Sequence, residues 1–413
     1  VPVTRAATAA FALVSVLLAG GGAARAACDA CVTAGAGRVA LALPAGTSLA
    51  GYGGMKRRLL VPDVLGRYPH AFWLRPSLGQ RDPLAARALV LERGGIRVTW
   101  LALDLVAVDR ALTDTLAERL GPAAGTLIVS ASHTHSGPGG YVSSTMAGLL
   151  ATDSLDRVVR EAIVGAAVAA VRTAEAARAP AQVGVAAVDG PPVITSRLDK
   201  PLDHEVIVLA VRRPDGAPVS VVWNFGIHGT MLGASNLQLS GDVLGAASET
   251  VESTLGVPAL FVAGALGDVS PAQHGAASLA HVGAQLAGAV LEGWRAATPI
   301  ARPALTIRTT TIALPAPALS LRNCLGRWVP GALGLPLGTM FPRAATLTAA
   351  ALGDVAWVVV PGELQTELGR RVKTAGRALF GHAFVAGVSN DYLGYFVTAA
   401  DYERPAYVTC ASV

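Results

Sequence analysis

The chain has 413 residues, 52% of them hydrophobic and only 15% charged, with a formal net charge of +5. That length buries a sizeable core as one large or two ordinary domains. Much of the apolar excess is alanine and glycine, which suits close packing more than membrane spanning, and no basic run is present, which excludes nucleic acid as the partner.

Taken in order, Arg5 precedes an apolar run over 6–18, followed by small residues up to Ala24-Arg25-Ala26. That pattern predicts a secretory signal peptide over residues 1–26, hence a secreted or periplasmic protein, with an uncleaved anchor as the alternative. The run is too short for a comfortable transmembrane helix. Export places Cys28, Cys31, Cys324 and Cys410 in an oxidising compartment. Cys28 and Cys31 form a CxxC outside any βαβ context, and Cys324 with Cys410 would staple the C-terminal tail to the 320s loop. The sequence leaves the connectivity open.

Strands are predicted over 98–105, 126–130, 205–211, 219–225, 259–263, 355–360 and 383–388. Helices are predicted over 109–120, 156–176, 242–255 with Asp242 as its cap, 277–297, and from Glu363 onward. The turn Arg213-Pro214-Asp215-Gly216 joins the 205–211 and 219–225 strands. The alternation predicts an α/β fold: a single large layered domain over 27–413, with a mixed β-sheet flanked by helices and an active site at strand ends. One stretch differs. Residues 324–341 hold Trp328, Leu333, Leu335, Leu337, Met340 and Phe341 among glycines and prolines. Such a loop either packs onto the core, covers a substrate cleft or touches lipid.

Polar groups gather at the predicted strand exits. Ser132-His133-Thr134-His135-Ser136-Gly137 follows the 126–130 strand. Side chains two apart on an extended strand share a face, so His133 and His135 are expected to project together. Two such imidazoles are half of a metal or acid–base site, or else a core-edge pair satisfied by hydrogen bonds. His228 follows the 219–225 strand, Gly267-Asp268-Val269-Ser270-Pro271 follows the next, and Glu363, Tyr392 and Tyr395 follow the last two. Singly, Asp242 and Glu363 read as helix caps, the tyrosines as core-edge aromatics, and Asp268 as an Asx-type turn. Together they converge: three of the eight histidines occupy glycine-framed exits beside a carboxylate and tyrosines. Two histidines and a carboxylate are a common way to hold zinc with a position open for water.

The motifs SHTHSGPGGY (132–141), SGD (240–242), GDVSP (267–271), PGE (361–363) and SNDYLGY (389–395) occur in that order. On these, residues 35–413 resemble the neutral/alkaline non-lysosomal ceramidases, secreted or membrane-associated zinc amidases. The resemblance implies Zn2+ held by His133, His228, Glu363 and Tyr395, with His135, Arg197 and Tyr407 lining the substrate position. It assigns only His133 of the pair to the metal, where strand geometry allows both. It implies hydrolysis of the N-acyl amide bond of ceramide or a related lipid amide, with His135 carrying the proton and Arg197 and Tyr407 steadying the oxyanion. A lipid amide is the expected partner, with membrane contact through 324–341. Ser270 is expected to be a near-site structural or substrate-contact residue, because no GxSxG elbow surrounds it. Two alternatives stand beside this: a zinc hydrolase of the same family acting on another amide or ester, and a catalytically silent secreted binding protein. The chain departs from the family pattern at Ala265-Leu266-Gly267 and Ala272, where the family carries asparagines beside DVSP. Its 324–341 loop does not align with the family's corresponding region, and because the sequence ends six residues after Tyr407, the family's C-terminal immunoglobulin-like domain is expected to be absent.

Overall fold

The computed structural model describes residues 28–331 and 333–412; the predicted leader over 1–26 lies outside them. The large sheet is built from β1 (Val32–Ala40), β2 (Ala85–Arg93), β3 (Ile96–Leu103), β4 (Thr126–Ala131), β5 (Ala179–Asp189), β6 (Glu205–Arg212), β7 (Pro218–Phe225) and β8 (Ala259–Ala263). Their order is β4-β3-β2-β1-β5-β6-β7-β8, with Thr298–Pro299 added beside β5. β3 and β4 run parallel at one edge, β7 and β8 at the other, and the neighbours between are antiparallel. Each parallel edge is a crossover: α1 (Arg110–Leu120) joins β3 to β4, and α3 (Asp242–Leu255) joins β7 to β8. This agrees with the rule that parallel neighbours need a helical connection. α2 (Arg157–Ala176) and α4 (Ala276–Ala296) complete the helical layer on the same face.

The mixed sheet is as expected, but a second sheet packs against it. β9 (Leu305–Ala313), β10 (Ala344–Leu352), β11 (Val355–Val359) and β12 (His382–Ala386) form it in that order. The two sheets share one apolar layer in which Trp100 of β3 stacks on Trp357 of β11, ring centroids 5.3 Å apart. Alternate residues of β3 serve the two faces: Val98 and Trp100 meet the second sheet, Leu101 and Leu103 the helices. Truncating a buried tryptophan there costs roughly 3–5 kcal/mol. α5 (Thr366–Arg377) covers the outer face of the second sheet, so the layers run helix, sheet, sheet, helix.

Several strands escape sequence reading for a physical reason. β1 is Val-Thr-Ala-Gly-Ala-Gly-Arg-Val-Ala, with little apolar contrast. Its glycines are required because α2 lies directly on the strand: a Cβ on Gly35 would stand 2.1 Å from the Ala174 carbonyl oxygen, and one on Gly37 2.3 Å from that of Ala170.

The strand exits are laced together by backbone hydrogen bonds at one end of the two sheets. Ala131 donates to Val388, Gly387 to Ala263, Gly264 to Phe225, and His135 to Gly229. Glycines at 226, 229, 264 and 387 leave no room for a side chain between these exits. Segments far apart in sequence thus meet over one small area. Among the described residues no helix is long and apolar enough to cross a membrane.

Candidate functional site

β4 ends at Ala131, so His133 and His135 do not share a face by strand alternation as expected. His133 instead takes a left-handed conformation, φ 64°, which turns the chain and sets its ring nearly perpendicular to that of His135 at 4.9 Å. A non-glycine residue there is uncommon and persists only where surroundings over-determine it. Here they do: the His133 backbone N–H donates to Leu105, and Thr134 bridges to Gly229. The ring is fixed as well. His133 Nδ1 donates to the Val106 carbonyl at 2.6 Å, which leaves Nε2 with a free lone pair.

Glu363 is not a helix cap. It opens a two-residue strand, Glu363–Leu364, paired in parallel with Tyr395–Phe396, and α5 begins only at Thr366. The carboxylate therefore points between the histidines. Its Oε1 accepts from the Tyr392 hydroxyl at 2.5 Å and lies 3.3 Å from His133 Nε2; its Oε2 lies 2.9 Å from His228 Nε2. Yet neither His228 nitrogen nor Glu363 Oε2 makes a hydrogen bond, and all are buried. Imidazole nitrogens and a carboxylate oxygen left unpartnered in a dry interior are groups that a bound cation would satisfy. His133, His135 and His228 offer nitrogens all within 4.8 Å of one another. Two ligands about 2.0–2.1 Å from a tetrahedral ion stand roughly 3.4 Å apart, close to the 3.3 Å and 2.9 Å that separate the Glu363 oxygens from His133 Nε2 and His228 Nε2, so these donors can hold a metal ion.

The protonation states agree. Burial and the charge of Arg197 push the His228 imidazole down to about 3. Burial, with His133 and His228 nearby, also holds His135 well below its ordinary value, so it is not the near-neutral imidazole expected from its type. For Glu363, burial works to raise the pKa, but the two facing imidazoles bring it well below the carboxylate range. Neutral imidazoles beside an ionised carboxylate are the form that binds metal. Burial and the Glu363 charge push the hydroxyls of Tyr392 and Tyr395 well above the usual tyrosine value.

The GDVSP segment is more than an Asx-type turn. Val269–Pro271 pairs with Ile194–Ser196, and the Arg197 N–H donates to the Asp268 carbonyl at 2.7 Å. Asp268 Oδ1 accepts the Thr366 N–H and hydroxyl, both at 2.7 Å, which ties this ladder to the segment bearing Glu363. Arg197 Nε then donates to Ser270 Oγ at 2.8 Å, and its Nη1 reaches the Tyr395 hydroxyl at 3.4 Å. Tyr407 stands at the rim, 69% exposed, its ring 6.0 Å from that of Tyr395. It opens a helical turn, Tyr407–Cys410, whose last residue is disulfide-bonded to Cys324; the other pair is Cys28–Cys31.

Asp242 departs from its expected role. Gly241 is the cap of α3, while the buried Asp242 carboxylate accepts the N–H groups of Met231 and Leu232 and so anchors the loop after His228. Burial pushes its pKa up to about 6.

Two residues of the site, Tyr52 and Arg57, were missed in sequence, and Tyr392, named only as a core-edge aromatic, has a more specific role. Tyr392 orients Glu363; Tyr52 packs against His135 with centroids 5.0 Å apart; the wholly buried Arg57 donates to the carbonyls of His135, Ala50 and Ala234. Tyr52 carried a signal, since Gly51-Tyr52-Gly53-Gly54 is another glycine-framed aromatic. Gly51, at φ 102°, is needed because a Cβ would stand 2.7 Å from His135.

The cluster forms the floor of a cavity of about 720 Å³. His133, His135, Glu363 and Tyr395 lie at the polar end, and Val142, Met146, Leu150, Met340 and Phe341 supply apolar wall. The 324–341 loop thus contributes to the cavity at its C-terminal end, while most of its large side chains stay exposed, Trp328 at 78%.

Residues 75–286 match the family model described as neutral/alkaline non-lysosomal ceramidase, N-terminal. The chain belongs to this family. It is 27% identical over 205 residues to a neutral ceramidase of Mycobacterium tuberculosis, and 29% identical over 92 residues to neutral ceramidase B of Dictyostelium discoideum. These alignments cover 44% and 21% of this chain but only 32% and 11% of the relatives, a third of their length or less. The fold is similar to that of neutral ceramidase from Pseudomonas aeruginosa, with TM-score 0.78 at 18% identity over 92% of this chain and 71% of that one. A structure of a ceramidase complexed with C2 is similar too, with TM-score 0.76 at 18% identity over 92% of this chain and 72% of that one. His133, His228 and Ser270 fall inside the matched stretch, whereas Glu363, Tyr395 and Tyr407 lie beyond it and join the site through tertiary structure.

Proposed function

We propose that this chain is a zinc-dependent amidohydrolase that cleaves the N-acyl amide bond of ceramide or a related lipid amide, giving a sphingoid base and a fatty acid. The observation that carries this is the pair His228 Nε2 and Glu363 Oε2, buried 2.9 Å apart without a hydrogen-bond partner, with Glu363, His133 and His135 lining an apolar-walled cavity. In this role His133, His228, Glu363 and Tyr395 hold the ion. Zinc bound there would polarise the amide carbonyl and lower the pKa of its water from 15.7 to about 7.

The protein's own groups do the rest. Val106 and Tyr392 hold His133 and Glu363 in their orientations. Arg197, anchored at Nε by Ser270, keeps its terminal N–H groups toward the floor, where they stabilise negative charge developing on the amide oxygen. Tyr407 adds a second donor from the rim once substrate fills the cavity. His135, neutral and unliganded, accepts a proton from the attacking water and delivers it to the amine nitrogen as the carbon–nitrogen bond breaks. Export through a leader over 1–26, a catalytic domain over 27–413 and lipid contact through 324–341 belong to the same proposal.

The test is metal content of the purified protein, followed by hydrolysis of short- and long-chain N-acyl sphingosines beside simple amides and esters. Bound zinc with N-acyl sphingosine turnover is expected. Zinc with turnover of other amides or esters alone would move the substrate, and a metal-free, inactive protein would overturn the proposal.

A further inference from the structure

His135 stands close enough to the donors of the site to become a metal ligand itself. Its Nε2 lies 3.5 Å from His133 Nε2, about the spacing of two ligands on one ion. A histidine that took the position needed by water would turn an open, catalytic site into a closed, structural one. No hydrogen bond from its ring to the rest of the fold prevents this. His135 Nδ1 is buried without a partner, whereas the Val106 carbonyl fixes His133. The ring is therefore set by packing and by its own backbone.

Both restraints come from residues 50–57. The Ala50 N–H donates to Gly137 at 3.0 Å and the Gly51 N–H to Ala151 at 2.9 Å, which lays the segment across the histidine loop. At Gly51 the backbone itself presses on His135, since a Cβ there would stand 2.7 Å from its Cα, Cβ and Cγ. The Tyr52 ring flanks the imidazole at 5.0 Å, and its hydroxyl donates to the Leu232 carbonyl at 3.1 Å. Arg57 then closes the bracket. Its guanidinium, 0% exposed, donates to Ala234 at 3.0 Å, His135 at 3.1 Å and Ala50 at 3.4 Å, and its Cζ lies 5.1 Å from the Tyr52 ring centroid. A charge buried among carbonyls instead of against a carboxylate is expensive to keep. Only the forked donors of arginine let one side chain span three segments in this way. Leu232 and Ala234 belong to the loop after His228 that Asp242 anchors, so the bracket references His135 to His228 as well.

We propose that residues 50–57 form a positioning bracket in which Tyr52 and Arg57 hold His135 off the metal and so keep it free to carry the proton. Resting on the function and ligand set proposed above, the role is one of positioning, because both residues act through His135. Loosening the bracket releases His135 onto the metal, which tightens metal binding while it slows turnover.

The experiment compares the full chain with Tyr52→Ala in two assays. One is zinc affinity, measured by competition with a chelator in the absence of substrate. The other is kcat and KM on a soluble short-chain N-acyl sphingosine. Tyr52→Ala is expected to lower kcat by about tenfold or more with KM little changed, and to bind zinc about tenfold more tightly, the range that groups around metal ligands command. A merely structural role would weaken zinc binding instead. Adding His135→Ala to Tyr52→Ala should abolish the gain, because His135 is the added ligand, and Tyr52→Phe should recover the parent's behaviour by restoring the ring. Arg57→Lys, which cannot span three carbonyls, should move both readouts the same way; if it melts early, Tyr52→Ala decides alone. Unchanged kcat in Tyr52→Ala overturns the bracket, as does zinc affinity that stays level or falls, or a gain that persists without His135. A parent that binds zinc but turns over no amide or ester sinks the proposed function, while the affinity assay still judges the bracket. Zinc and turnover in the parent with no effect of Tyr52→Ala sink the bracket alone, and a parent that binds no zinc overturns both.

Discussion

Replacing Ser270 with alanine separates two roles for its hydroxyl by magnitude. Ser270 Oγ accepts from Arg197 Nε at 2.8 Å, while the backbone pairing of Ser270 with Thr195 survives any side chain. Losing one hydrogen bond to a charged group costs about 1.5–3 kcal/mol, which is roughly ten- to a hundredfold in kcat/KM. Arg197 is only partly buried and can recruit water, so the lower part of that range applies. A serine nucleophile would instead cost about 10⁶-fold on removal. The assay is kcat/KM on a short-chain N-acyl sphingosine with metal content measured on the same sample. Because Ser270 acts through Arg197, adding Ser270→Ala to Arg197→Ala should change little more. A fall beyond about 10⁴-fold with metal intact would refute the positioning role and restore a covalent route.

His133→Ala and His228→Ala are each expected to lose metal and activity together; normal metal content in both purified variants would sink the ligand assignment. Acid should destabilise the metal-free protein through His228. Its folded pKa is about 3 against an ordinary 6.5, so the unfolded chain takes up the proton first as pH falls. The stability is present above the ordinary value and is lost toward the folded one, by at most roughly 5 kcal/mol. Urea unfolding across that window should therefore show a shallower slope in His228→Gln, and equal slopes would contradict it. Removing the Cys324–Cys410 bond, which spans 86 residues, should cost roughly 2–4 kcal/mol. At a temperature where Cys324→Ser with Cys410→Ser remains folded, turnover should still fall with metal retained, because the helical turn bearing Tyr407 loses its tether. Unchanged turnover would remove Tyr407 from the reaction.

The local elements were legible where apolar contrast was strong. The 156–176 helix stands as α2, where the structure shows Asp156 as its cap, and the hairpin around Pro214-Asp215-Gly216 is in place. β1 and β9 were not legible. One is small-residued because a helix lies on it, and the other is a threonine-rich edge strand with most side chains in solvent. The second sheet was therefore invisible as a layer, although β11 and β12 were both expected as strands.

For the site, the sequence by itself determined the chemical inventory: imidazoles, a carboxylate and tyrosines at glycine-framed strand exits, carried on motifs of a known family. It could not determine their arrangement. The HTH pair meets through a left-handed turn rather than along a strand, and Glu363 faces the histidines through a two-residue strand paired with Tyr395. Tyr52 and Arg57 enter, and Tyr392 finds Glu363, only because distant segments converge. Residue type follows from local chemistry, but the meeting of His228 and Glu363 depends on backbone bonds between strand exits distant in sequence, such as Gly387 to Ala263 and Ala131 to Val388. Those contacts exist only once two sheets have packed, so the tertiary structure alone decided which inventory became a site.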